Sequence, residues 1–433
     1  MALGGGKFTV MNKVLPGTYI NVLTTPNERS GLERGIVAFP FCLNWGADAA
    51  VIEISATDWK KRSLEKLGYK NDADAMKPIR EIFTGGATKV LIYNMNNGTK
   101  ASNTYATAKF KGTRGNDIKI AISANVDDQT KFDVTTLVDN MDMDVQTVTT
   151  AAELVGNDWV TFDTTATLAI AAATALTGGT NGTITGTQHA AALAALEQKY
   201  FNVLVCDATD ATTKALYSNY TERMRDAMGK CFQMIAYSLA ADYEGVTNVG
   251  TTVADAGAAA SSLVYWVAGK SASCSMGKAI TNDEYDGEYE PICAETQAAL
   301  EEAIESGKFM FHLVGEDARV LMDINSLTTF TAEKSSMMAK NEIIRTTDYL
   351  CNAIADLFNT RYIGKVINTE NGRAHLKQDI ASIQDELVQL GVIEYENADL
   401  TVALGPDKGD VVITDTVTVN TAMVRLYMTI AIN

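Results

Sequence analysis

The closing stretch of the chain constrains its fold more than any other. Leu426, Met428, Ile430 and Ile432 alternate with Tyr427, Thr429 and Ala431, the period-2 pattern of a half-buried strand. No turn signal beside it supplies a second strand for it to pair with. The front reads the same way: residues 15–24 (LPGTYINVLT) follow a Gly4-Gly5-Gly6 leader and a Pro16-Gly17 kink. A strand whose backbone groups have no local partner is an open edge, and open edges invite strand addition by neighbouring molecules. The pattern predicts a self-assembling structural subunit rather than an enzyme.

Composition narrows the alternatives. At 433 residues with 46% hydrophobic content, the chain exceeds what one core serves, so two to four domains are expected. A net charge of −17 repels phosphate backbones and anionic headgroups, which argues against nucleic acid or a membrane surface as partner. It also keeps a concentrated assembly protein soluble. Cys42, Cys206, Cys231, Cys274, Cys293 and Cys351 show no C-x-x-C spacing and read as buried free thiols of a reducing cytosol rather than disulfides or zinc ligands. The start MALGGGKF lacks an apolar signal core, and no run nears the roughly 18 residues that span a bilayer. Synthesis and assembly in a cytoplasm are expected.

Along the chain, residues 35–41 (GIVAFPF) and 89–93 (KVLIY) are short apolar runs flanking a polar helical stretch over 58–83, the beginning of a β-α-β unit. Between about 94 and 186 proline disappears and Thr and Asp rise; 117–124, 132–138 and 159–162 look like short antiparallel strands of an inserted β-rich domain, with residues 178–182 (GGTNG) as an exit hinge. A helix capped by Thr187 and carrying Leu193, Leu196 and Tyr200 leads into 201–207 (FNVLVCD), an all-apolar strand of the parallel-sheet type. Leu216, Tyr220, Met224 and Met228 recur at helical spacing. Residues 231–236 and 262–268 read as further buried strands of an α/β layer. A helix around Leu300 and Ile304 stops at Gly307, and a hairpin turns at Gly315-Glu316-Asp317. Two long helices follow, one with Leu350, Ile354, Leu357 and Phe358 on a face, the other with Leu376, Ile380, Ile383, Leu387 and Leu390 and a stop at Gly391. Residues 411–419 are strand-like again.

The search for chemistry returns little. His189, His312 and His375 lack metal-ligand spacing and read as structural. Gly269-Lys270-Ser271 copies the end of a phosphate-binding loop, but the glycine required five positions earlier is Val264. Asp207 ends a buried strand, where α/β enzymes often place a carboxylate; an α/β enzyme with a site near Asp207 is the alternative reading. Asp283, Glu284, Asp286, Glu288 and Glu290 cluster without the spacing of a calcium loop and read as a solvated acidic loop or one facing a basic partner. No catalytic residue, metal ligand or cofactor is assigned. A surface-layer or adhesin subunit would also polymerise, but should carry an export signal.

Residues 13–21 (KVLPGTYIN), 34–37 (RGIV) with 43–46 (LNWG), 323–330 (DINSLTTF), and 364–366 (GKV) with 371–373 (NGR) together resemble the contractile tail sheath proteins of myophages and PBSX-like prophages. The resemblance runs from Lys13 to Asn433. Phage-tail-like bacteriocins use the same design, so virion and bacteriocin particle both remain open. The resemblance implies a discontinuous α/β sheath core, subtilisin-like in its sheet layer but without a catalytic triad, carrying a β-sandwich insertion entered at 111–118 (KGTRGNDI), and extended terminal strands. The implied division is an N-terminal linking arm (1–24), the first part of the core (25–95), the inserted β-sandwich (96–186), the central α/β part (187–330), a C-terminal helical part (331–410) and linking strands (411–433).

It implies as partners the chain itself, in six-membered rings stacked as a helix, together with a tail tube, baseplate and tail terminator proteins. Heterologous contacts that do not close on themselves propagate into a cylinder. Tyr19, Ile20, Val22, Val411, Ile413, Met428 and Ile430 are the candidates for inter-subunit strand exchange. Arg373 and Lys377, basic groups on an acidic protein, are the candidates for facing the tube.

Overall fold

The computed structural model describes residues 33–432. Tyr19, Ile20, Val22 and the N-terminal arm therefore lie outside the described residues.

The first unit is a parallel βαβ with an unexpected edge. Strand β1 (Ile36–Phe41) leads to β2 (Val51–Ser55), helices α1 (Ala56–Leu67) and α2 (Lys77–Thr84), and β3 (Lys89–Asn94). β3 lies parallel to β1, and β2 pairs antiparallel on its far side. Ser55 ends β2 and caps α1 by accepting from the Asp58 amide at 3.1 Å, so strand and helix share one residue.

Residues 96–181 then leave the sheet. Strands β4 (Ala106–Ala108), β5 (Ile118–Ala124), β6 (Phe132–Val138), β7 (Met141–Val148), β8 (Val160–Phe162) and β9 (Ala171–Ala175) form a four-stranded sheet, β7-β6-β5-β9, and a β4-β8 pair. Ile118, Ile120, Ile122, Val134, Trp159 and Leu176 fill the core between them. β7 escaped the sequence reading because its inward residues are interspersed with Asp142 and Asp144, and a bulge beside Leu137 breaks the register. The expected hinge at 178–182 is instead stapled. Asn181 accepts from the Asn96 side chain at 3.2 Å and the Thr113 amide at 3.0 Å, and donates to Asn44 at 2.8 Å. Arg114 adds a buried clamp, donating to the Gly68 carbonyl at 2.8 Å and to both oxygens of Asp139.

The chain re-enters the parallel sheet through α3 (Gly186–Leu196), β10 (Val203–Cys206), α4 (Ala211–Glu222), β11 (Gln233–Tyr237) and β12 (Val246–Val249). The cap of α3 is Thr185, not Thr187: the Gln188 side chain reaches back to accept from the Thr185 amide at 2.9 Å. Next come α5 (Leu263–Ser273), α6 (Gln297–Glu305), β13 (Lys308–Phe309) and the hairpin β14 (Phe311–Val314) to β15 (Asp317–Val320). Val314 pairs with Asp317, leaving a two-residue turn at Gly315-Glu316, with Gly315 in the left-handed region at φ 69°.

Residues 262–268, expected as a strand, are the body of α5. A helix apolar on every side gives the same run of hydrophobic residues as a buried strand, and α5 is buried from Leu263 through Gly269. It crosses α2 at two glycines. A Cβ on Gly269 would sit 2.0 Å from the Ile82 carbonyl, and one on Gly85 2.5 Å from the Trp266 carbonyl.

The completed sheet has the order β13-β12-β11-β10-β1-β3-β2, parallel except at β2. Both faces are covered. Val37, Phe39, Val203, Val205 and Ile235 face α2 and α5, while Ile36, Ala38, Leu204, Cys206 and Met234 face α3 and α4. That two-sided burial is why these strands read as unbroken apolar runs.

The last unit holds α7 (Asn341–Leu357), α8 (Glu370–Gln389) and strands β16 (Ile393–Tyr395), β17 (Thr401–Leu404), β18 (Val411–Thr414) and β19 (Val417–Val419). Its junction with the sheet is polar and buried. Asn341, at the start of α7, accepts from Gln233 of β11 at 2.8 Å and donates to Asp323 at 3.0 Å and to the Ile324 carbonyl at 2.9 Å. Arg345 meets Asp323 at 2.5 Å with both side chains almost fully buried, and Arg225 holds Asp348 through two 2.7 Å bonds. The first five residues of the DINSLTTF stretch, Asp323 to Leu327, are thus buried with the clamp, while Thr328, Thr329 and Phe330 are exposed.

A candidate assembly surface

The expected single strand over 411–419 is broken at Asp415-Thr416 into two, each of which folds back on its own chain. β18 pairs antiparallel with β17, setting Val411 opposite Leu404 and Ile413 opposite Val402; β19 pairs with β16. Val411 packs toward Leu376, Ile380 and Leu400, whereas Ile413 stays exposed. Among the described residues each of these sheets has two strands, which leaves β18 with an edge that none of them pairs.

Residues 421–432 behave differently. Asn420 donates to the Val392 carbonyl at 2.9 Å, and the Ala422 amide to Glu342 at 3.0 Å. From Met423 onward the backbone joins no strand among the described residues. Successive side chains on opposite faces are bare: Leu426 is 86% exposed, Tyr427 87%, Met428 70%, Ile430 72% and Ile432 92%. The period-2 pattern predicts one covered face; in the single chain neither is covered. A stretch this apolar that joins no strand among the described residues presents both its side chains and its backbone for pairing.

Beside the β17–β18 hairpin lies a cavity of about 200 Å³ lined by Phe358, Ile363, Val366, Ile367, Arg373 and Val411. Ile363, Val366 and Ile367 are exposed. They sit in the loop between the π-helical turn Phe358–Tyr362 and α8. Sequence reasoning missed this patch, although the apolar run around Gly364-Lys365-Val366 carried the signal. Arg373 is half-buried and donates to the Asn368 side chain at 2.9 Å. Asn368 in turn donates to the Lys408 and Asp410 carbonyls at 3.0 and 2.8 Å. Arg373 therefore orients a clip on the hairpin loop, and Lys377 lies one turn further along α8, half-buried.

The residues considered for chemistry are placed as structural parts. Asp207 lies at the carboxyl end of β10, next to β1, where the strand order reverses, the usual ligand crevice of an open α/β sheet. There Tyr265 of α5 donates to its carboxylate at 3.2 Å and Ser261 to its carbonyl at 2.8 Å. Burial pushes the Asp207 carboxyl up to about 6. Gly269-Lys270-Ser271 lies in the last turns of α5, the carbonyl end of a helix dipole, which repels phosphate. His189 bonds the Tyr217 hydroxyl at 2.9 Å, and burial lowers its pKa. His312 faces the Arg319 carbonyl; His375 is exposed. The acidic stretch is a strap rather than a free cluster: Asp283 pairs Lys270, Glu284 pairs Arg319, Glu288 pairs Arg80, and Asp286 accepts from Trp266 at 2.7 Å. Among the described residues no group of three or more His, Cys, Asp or Glu side chains could hold a metal ion, and no helix is long and apolar enough to cross a membrane.

Comparison with known proteins decides what such a surface belongs to. Sequence profiles match for the phage tail sheath protein β-sandwich domain at residues 96–181, the central domain at 182–326 and the C-terminal domain at 333–433. The crystal structure of the sheath tail protein from Desulfitobacterium hafniense is 34% identical, with a TM-score of 0.80, covering 93% of this chain and all of that one. The chain belongs to the phage tail sheath protein family. The PBSX phage-like element protein XkdK of Bacillus subtilis is 32% identical to this sheath chain over the full length of both. At 12% identity and a TM-score of 0.52, the contracted sheath of the extracellular contractile injection system PVC shares the fold over 98% of each chain. The sheath chain is thus a structural protein of contractile systems, a mixed α/β fold with a β-sandwich domain, and its relatives build sheaths of phage or phage-like particles.

Proposed function

We propose that the chain polymerises as six-membered rings stacked around a tail tube, and that rearrangement of those contacts drives the tube through a target envelope. The observation that carries this reading is the bare apolar ribbon 423–432. A segment that exposes Leu426, Tyr427 and Ile432 and pairs with nothing in its own chain among the described residues is built to be received elsewhere. The receiving edges on this reading are β18, with Val411 and Ile413, and the N-terminal strand carrying Tyr19, Ile20 and Val22; Met428 and Ile430 enter from the donor. Backbone ladders suit a moving joint, because a strand can pivot while its hydrogen bonds persist.

Contraction needs two packings of the same subunits, an extended one trapped by tube and baseplate and a shorter one of lower free energy. A difference of about a few kcal/mol per subunit, summed along a sheath, suffices. The parallel layer serves as a rigid frame of subtilisin-like type without a triad. Residues 1–24 and 411–433 are the linking parts, 25–95 with 187–330 the frame, 96–186 the outer β-sandwich, and 331–410 the tube side. Facing a tube, the Ile363–Val366–Ile367 patch is better exposed than Arg373 and Lys377, which are both half-buried, and the Arg373 guanidinium is engaged with Asn368. Baseplate and tail terminator proteins would cap the two ends of the stack, in a tail assembled in the host cytoplasm.

Deleting residues 1–24 tests the reading. The truncated chain should remain a folded monomer under negative-stain imaging and sedimentation, while the full chain forms tubes. Normal tubes from the truncated chain would remove the strand-exchange assignment.

A further inference from the structure

The six cysteines were expected to be buried, yet only Cys206 is; Cys42, Cys231, Cys274 and Cys293 are half-buried and Cys351 is exposed. Two of them are neighbours. Cys231 sits in the segment before β11, beside the central sheet, and Cys351 lies in the middle of α7, where helical spacing puts it on the same face as Asp348 and Asn352, the two residues that grip the Arg225–Cys231 segment. The backbone around the pair is fixed independently. The Asn352 side chain accepts from the Cys231 amide at 3.1 Å and donates to the Cys231 carbonyl at 2.7 Å, so the residue next to Cys351 holds Cys231 in register. One turn earlier on the same helix, Asp348 is locked to Arg225, which keeps α7 from sliding along this face.

We propose that Cys231 and Cys351 form a disulfide-closing pair that ties the central sheet to the C-terminal helical unit when the protein meets an oxidant of the peroxide class. The exposed Cys351 is the attacking group. Its thiolate takes one oxygen from the peroxide, becoming a sulfenic acid and releasing hydroxide. Cys231 then attacks that sulfur, forming the S–S bond and expelling the oxygen as water, so the two thiols lose two electrons and the peroxide gains them. Cys231 and the Arg225 guanidinium pull the Cys351 thiol below the ordinary cysteine range, against the opposing effects of burial and Asp348, which favours the reactive thiolate. The pull is upward elsewhere: burial raises Cys206 to about 12 and Cys293 to about 11.

Mild hydrogen peroxide on the full chain, followed by alkylation and peptide mapping without reductant, reads the outcome. The free-thiol count should fall by two from six, with one intrachain linked pair holding Cys231 and Cys351, and C351S should show no such link. Cys351 over-oxidised or joined between chains while Cys231 stays alkylatable would overturn the proposal. A second reading needs no oxidant: the pH midpoint of Cys351 alkylation should lie below that of an ordinary thiol and move upward in C231S. An unmoved midpoint would show that the thiols do not touch, and would also overturn it. Neither measurement depends on polymerisation.

Discussion

Placing a charge on either face of the C-terminal ribbon separates a donated strand from a loose tail. Ile430 and Thr429 are adjacent and face opposite ways in an extended backbone. If the face of Met428, Ile430 and Ile432 enters a neighbour, burying Ile430 contributes about 2 kcal/mol. Ile430→Asp forfeits that and must also desolvate a carboxylate, a further cost of at least about 2 kcal/mol. At 1.4 kcal/mol per decade, the sum weakens each joint about a thousandfold. Thr429→Asp, on the outer face, should change the joint by less than about 0.5 kcal/mol. Neither substitution should move monomer stability, since Ile430 is 72% exposed in the single chain. Sedimentation across a concentration series gives the critical concentration for polymerisation, and a thermal melt below it gives the monomer. Equal effects of the two substitutions on polymerisation, or a lowered melt for Ile430→Asp, would refute the reasoning.

Asp323→Ala should destabilise the fold by about 3–5 kcal/mol, because it leaves the Arg345 guanidinium buried without its counter-charge and removes an acceptor from Asn341; chemical denaturation that shows a loss under about 1 kcal/mol would contradict the clamp. Asp207 titrates in the opposite sense to a salt-bridged acid. Its folded pKa, about 6, exceeds the unfolded value of about 3.9, so the native state binds its proton more tightly. Stability therefore declines as pH rises through that window and stays flat above it. Asp207→Asn should remove this decline while keeping a partner for Tyr265, as measured by denaturation midpoints from pH 4 to pH 7; an unchanged pH profile would show that the carboxyl is not desolvated.

Much of the frame was legible because two-sided burial writes itself into composition. β1, β3, β10 and β11 are dense apolar runs, and each was placed within a residue or two. The same signal misled at 262–268, where a helix buried on all sides between α2 and the sheet leaves no polar face to reveal its 3.6-residue period. β2 and β7 were missed for the converse reason: as edge or half-exposed strands they carry too few buried residues to stand out. The clamp at Asp323, Asn341 and Arg345 gave no local cue, since its members come together only when α7 docks.

What local physics alone determined is that the C-terminal segment wants to be extended and wants a covered face: alternation is a property of the covalent sequence and survives any context. Which strands stay at home was decided by tertiary contacts. β18 and β19 fold back onto β17 and β16, whereas 423–432 joins no edge of its own chain among the described residues. Satisfying backbone groups requires a partner in reach, and reach is set by the packed fold, not by the pattern of side chains.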